Sequence, residues 1–131
     1  MMKILQPPGW ETPKGYANGV SATGGTTVFV AGQVAFNEKN LLLEKTFAGQ
    51  FRQTLKNTLA VLAEAGAKPE HIVRMTWYIT DKKEYLASLK EVGAAWRELI
   101  GRHYPAMAVV QVVALMEDAA KVEIETTAVV P

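Results

Sequence analysis

Glu123 and Glu125, in the segment KVEIETTAVV, are the first residues to weigh for chemistry. Two positions apart in a run of strand character, they share one face of a strand. A positioned carboxylate can serve as a general base, but on the residues alone this pair reads equally well as solvated. Other chemistry is largely excluded. With no cysteine in the chain there is no disulfide framework, thiolate nucleophile or cysteine-based zinc site. His71 and His103 are isolated, each near the end of an element, and read as loop or surface histidines. No HxxxH pair, Gly-rich phosphate loop or Ser-His-Asp arrangement can be read with useful specificity.

The chain has 131 residues, which suits a single domain over 1–131. Fourteen Lys and Arg against thirteen Asp and Glu leave a formal charge of +1. That balance argues against a nucleic-acid or anionic-membrane surface, which shows a basic excess or cluster. Trp10, Trp77 and Trp96 are not interleaved with basic residues, so no base-stacking surface is indicated. The opening MMKILQPPGW lacks the apolar core of a signal peptide, and no stretch has the length of a membrane span. The expected location is cytoplasmic, by default.

QPPGWETPKG (6–15) is turn-rich. YANGVSA (16–22) and TTVFVAGQV (26–34), joined at Gly24-Gly25, predict a β-hairpin. From Thr46 the period becomes helical. Phe51, Leu55, Leu59 and Leu62 form one stripe, with Arg52, Gln53, Lys56 and Asn57 opposite. Gly66 and Pro69 end that helix. HIVRMTWYIT (71–80) predicts a strand with Val73, Met75, Trp77 and Ile79 on one face and Arg74, Thr76 and Tyr78 on the other. Asp81 with Glu84 predicts an N-cap and capping box. The single helix opened there carries Tyr85, Leu89, Val92, Trp96 and Leu99 to a stop at Gly101. MAVVQVVAL (107–115) and KVEIETTAVV complete a β-β-α-β-α-β-β order. The expected architecture is α+β, a sheet with both helices on one face.

YPAMAVVQVVAL (104–115) sharpens that expectation, because from Ala106 to Leu115 Gln111 is the single polar side chain. A strand apolar on both sides implies burial on both. With helices on one face and no long apolar loop for the other, a second copy of the chain is the expected cover.

YPAMAVVQVVAL…KVEIETTAVV resembles the carboxy-terminal signature of the Rid family, also called YjgF or L-PSP proteins: Pro-Ala-Arg, a hydrophobic strand, a short turn, then a Glu-Ile-Glu strand. VFVAGQV (28–34) resembles the family's Ser/Ala-Gly-Gln strand and GYANGV (15–20) its tyrosine segment. NTLAVLAEAGAKPEHIVRMTWYITD (57–81) resembles its first helix and following strand. The resemblance covers nearly the whole chain. It implies a chorismate-mutase-like α+β fold, a homotrimer whose sheets form a central barrel, and small-molecule clefts between subunits. It also implies hydrolysis of reactive enamines and imines to ketones and ammonia, with no metal or organic cofactor.

Carried onto this sequence, the resemblance makes Glu123 the glutamate that holds or activates water, allowing one extra residue in the MEDAA turn. Tyr16 becomes the pocket tyrosine; on its own it would read equally well as a half-buried strand residue. Gly32 and Gln33 match the Gly-Gln pair, and Ala31 stands where deaminases often have serine. Lys90 falls near a family asparagine on the second helix, where it would supply positive charge, although it lies off the apolar stripe. Met107 is the departure, because the deaminases carry arginine there. A thioether cannot grip a carboxylate in the two-pronged way a guanidinium does. Loss of such a contact removes roughly 2–5 kcal/mol from a buried site. Met107 then reads as packing for a more apolar pocket.

Three functions follow. The first is a hydrolase for a small imine, enamine or related electrophile, other than the usual amino-acid imine. The second is a homotrimer that binds a metabolite without turnover. The third, supported least by the near-neutral charge, is an endoribonuclease or translation inhibitor.

Overall fold

The computed structural model describes residues 2–131. Along the chain run β1 (Met2–Leu5), β2 (Gly19–Ala22), β3 (Thr26–Gln33), α1 (Phe47–Glu64), a 3-10 turn (Pro69–His71) and β4 (Ile72–Ile79). Then follow α2 (Lys82–Ala87), α3 (Leu89–Leu99), β5 (Ala106–Gln111) and β6 (Val122–Val130). The main sheet has the order β3-β6-β4-β5, with β4 and β5 parallel and the other neighbours antiparallel. α1 packs on β6, β3 and α3, so the helices lie on one face, as expected of an α+β layer. No helix of the described residues is long and apolar enough to cross a membrane.

Side-chain alternation explains that layer. Along β6, Val122, Ile124, Thr126 and Ala128 are buried, while Glu123, Glu125 and Thr127 point the other way. β4 sends Met75, Trp77 and Ile79 to the helices, where they meet Phe51, Leu55 and Trp96. Val73 departs from the expected face. The register slips between Ile72 and Arg74, so Ile72 is the buried residue and Val73 stands half-buried in the irregularity.

The helical stripe of α1 is buried at Phe51, Leu55 and Leu62, half-buried at Leu59, and capped by the Thr46 hydroxyl, which accepts from Gly49 N. Three expectations need correction. β2 does not pair with β3: it forms a separate two-stranded ribbon with β1, while β3 joins β6. Gly24 and Gly25 do turn the chain, both at positive φ. However, a Cβ on Gly25 would run into the Val130 carbonyl, so this glycine serves the close approach of the carboxy-terminal strand. The expected single second helix is two helices, broken at Ser88. Asp81 caps the first of them, accepting from Lys83 N and Glu84 N, but Glu84 turns to Lys121 rather than back to the cap. Finally, β5 stops at Gln111, whose Oε1 accepts from Lys82 N at 2.6 Å and so serves the start of α2. Val113 and Met116, beyond it, are fully exposed.

Gln50 ties the layers together. It is buried on α1; its Nε2 donates to Glu44 O (3.1 Å) and Ala119 O (3.0 Å), and its Oε1 accepts from Lys121 N (2.7 Å). One amide thus fixes the turn that leads into β6. Replacing Gln50 with Leu strands three backbone groups away from water, which costs about 1–3 kcal/mol for each left unsatisfied. Gln50→Leu is expected to lower the unfolding free energy by about 2–4 kcal/mol in a urea titration; a change below about 0.5 kcal/mol would mean that water replaces the amide freely.

Candidate functional site

Two groups of side chains stand on opposite faces of the sheet. Met107 lies beside the buried Met75 in the β4–β5 register and faces the helices. Next to it comes the segment before β2. Ala17 N donates to Pro105 O at 2.9 Å, and Ala17 bridges Ala106 in parallel. That contact carries Tyr16 to the mouth of a cavity of about 630 Å³, whose lining includes Met107, Trp77, Trp96 and Tyr104. Trp96 and Tyr104 stack with planes 13° apart, and the Trp96 indole N–H donates to His103 O. Tyr85 also lines the hollow, and burial pushes its phenol above the usual value.

The cavity has two cations at its edge, Lys14 and Arg97, and no Asp or Glu among its lining residues. Lys90 is exposed on α3 and is not part of the lining, although Leu89 and Gly93 on either side of it are. The signal for Arg97 was weak in sequence, since it adjoins Trp96 of the apolar stripe without belonging to it.

The second group is on the far face. Ala31 and Gly32 sit in a bulge of β3, where the pairing with β6 slips between Val30 and Gln33. A Cβ on Gly32 would overlap the Glu123 carboxylate, so the glycine is what lets that carboxylate lie against the β3 backbone. Gln33 is half-buried and its Nε2 donates to Ala31 O across the bulge. Asn57 of α1 donates to Val34 O (2.9 Å) and Phe36 O (2.7 Å) and pins the strand's exit. The residue facing Glu123 on β4 is Tyr78, whose hydroxyl donates to Glu125 Oε1 at 2.6 Å. That hydrogen bond raises the phenol above its ordinary value, with desolvation and the charges of Glu125 and Glu123 acting in the same direction. Glu125 is therefore tied to a tyrosine, while Glu123 rests on a glycine.

Both histidines have structural partners. His71 Nδ1 accepts from Lys68 N, and His103 Nε2 lies 2.6 Å from Ile72 O. Among the described residues no three His, Asp or Glu side chains are grouped to hold a metal ion.

Residues 10–130 match the family described as Endoribonuclease L-PSP. The chain belongs to the Rid (YjgF, L-PSP) family. The 2-iminobutanoate/2-iminopropanoate deaminase of Escherichia coli (strain K12) is 32% identical over 117 residues, 87% of this chain and 86% of that protein. A Rid-family protein of unknown function from Yersinia pestis, YyfB, superposes with a TM-score of 0.87 at 28% identity, covering 98% of both chains. E. coli TdcF with bound serine gives 0.72 at 31% identity, covering 98% of this chain and 99% of that one.

In this Rid-family chain the Gly32–Glu123 contact is open to a direct check. The carboxylate is the far end of a flexible chain, so Gly32→Ala is expected to displace it at a cost in stability below about 1 kcal/mol. A crystal structure of the variant should find the Glu123 carboxylate swung off β3. A loss of several kcal/mol in denaturant would instead show that Glu123 is locked in place.

Proposed function

We propose that this protein is a deaminase-type hydrolase for a small reactive imine or its enamine tautomer, working at a site completed between copies of the chain. One observation carries the reading: Glu123, seated on Gly32, and the Tyr16–Met107 cavity occupy opposite faces of one sheet. A ligand that touches both must lie between two molecules. The face bearing Glu123 exposes Phe29 (78%) and Val110 (41%), apolar side chains that suit an interface. A homotrimer with these faces turned inward covers them and brings each Glu123 toward a neighbour's cavity. Similarity to the E. coli deaminase supports the reaction class.

In that site Glu123 takes a proton from water as the oxygen attacks the imine carbon, and the C=N π pair moves to nitrogen. Glu123 passes that proton to the nitrogen, giving a carbinolamine. The hydroxyl proton then moves to the nitrogen as the C–N bond breaks, so that ammonia leaves and the carbonyl forms. One water is consumed, one ammonia is released, and no oxidation state changes overall. Tyr16 donates a hydrogen bond to the oxygen or nitrogen in transit. Met107 favours a second reading, a trimer that binds such a metabolite without turning it over.

The test generates an amino-acid-derived imine in situ and follows the keto acid. Acceleration by wild type would mean that a group other than residue 107 holds the carboxylate, and Glu123→Gln should then lower kcat/KM by about 100-fold or more. If wild type is inert while Met107→Arg is active, the catalytic frame is intact and the natural substrate differs. If neither is active, binding without turnover is the function. The shared site has its own check: mixed oligomers refolded from Glu123→Gln and Tyr16→Ala chains should recover part of the activity. Failure to recover any would place both groups in one chain's site.

A further inference from the structure

The cavity beside Met107 is one-sided in charge. Lys14 comes from the amino-terminal loop and Arg97 from the end of α3, yet both reach the same hollow, and none of its lining residues is acidic. The whole chain carries a formal charge of only +1, so two cations converging without an anion is a local feature. Arg97 has no carboxylate within ion-pair reach among the described residues, whereas its neighbour Glu98 pairs with Arg52.

Arg97 stands one turn after Gly93 on α3. The Arg97 Nη1 lies 3.7 Å from where a Gly93 Cβ would stand. The side chain therefore runs back along the helix over the glycine, as long helical side chains do, and both residues line the cavity.

We infer that Arg97, assisted by Lys14, is the anion-recognising residue of this cavity and does the work that position 107 cannot do with a methionine. The ligand class is a small carboxylate with an apolar or aromatic side chain. Its charge sits on the guanidinium at the end of α3, and its apolar part packs on Met107, Trp96 and Tyr104. Recognition has moved from the strand floor to the helix wall, and the floor has become apolar. The inference rests on the hydrolase reading only for what happens at the ligand's far end; binding stands apart from turnover.

The experiment titrates the full-length protein with 3-phenylpropanoate and with its neutral isostere 3-phenylpropanamide, by calorimetry or intrinsic tryptophan fluorescence, Trp77 and Trp96 both lining the cavity. The carboxylate is expected to bind at least about 10-fold more tightly than the amide. Arg97→Gln should weaken the carboxylate by about 10–100-fold and leave the amide unchanged, and Lys14→Gln should act in the same sense by less. Adding Met107→Arg to Arg97→Gln should restore carboxylate binding, because it returns a guanidinium to the floor. Equal affinity for acid and amide, or an Arg97→Gln variant that binds the acid as wild type does, would overturn the assignment. So would the absence of binding by either ligand to wild type. A protein that selects the acid through Arg97 but hydrolyses no imine upholds this inference and refutes the hydrolase. Imine turnover indifferent to Arg97 does the reverse.

Discussion

Alternation along β6 is the constraint on which the rest of the molecule depends. It commits Val122, Ile124, Thr126 and Ala128 to the helices and thereby commits Glu123, Glu125 and Thr127 to the opposite face. The chain has helices for only one of those faces. β4 and β5 obey the same rule in register, so Met107 goes with Met75 to the helix side and Ala108 with Thr76 to the other. Slipping β6 by one residue would bury two carboxylates beneath α1 and expose the core. The separation of the two half-sites thus has the same cause as the burial of the core. A single chain cannot bring Glu123 to the Tyr16–Met107 cavity without losing its fold.

Much of this was legible in the sequence because it depends on local chemistry. Thr46 caps α1, Gly66 takes positive φ after it, and the Phe51–Leu55–Leu62 stripe is buried. The rest depends on partners distant in sequence. Gly24-Gly25 announce a turn but say nothing of which strand lies alongside, and β2 chose β1 while β3 chose β6. The break at Ser88 left no mark on the apolar stripe, which runs through it from Tyr85 to Leu99. Gln50 and Asn57 look like ordinary polar helix residues. Their partners lie in the turn before β6 and at the exit of β3, tens of residues away.

The candidate site divides along the same line. Gly32 and Glu123 could be singled out by type and motif, and their contact in the fold gives the glycine its reason. Arg97 and Lys14 carried no such mark. Their meaning comes from a hollow that the sequence does not spell, made by α3, β5 and the amino-terminal loop together. Lys90, matched through its place in the chain, is exposed on α3 outside the cavity lining, whereas Gly93 and Arg97 of the same helix belong to it.

Gly32 and Gly93, both beside charged groups, differ in what they do. Gly32 removes a Cβ so that a carboxylate can rest on a strand bulge, whereas a Cβ on Gly93 would meet the Arg97 guanidinium only in ordinary contact. Of the two charged groups, only the Glu123 carboxylate is held against bare backbone. Glu123 and Glu125 lie on one face of the sheet and Lys14 with Arg97 at the cavity on the other, so the charges of the two faces are opposite in sign. Under the proposed function, a second copy lying on Phe29 and Val110 is the arrangement that would bring Glu123 and the cation-edged cavity together.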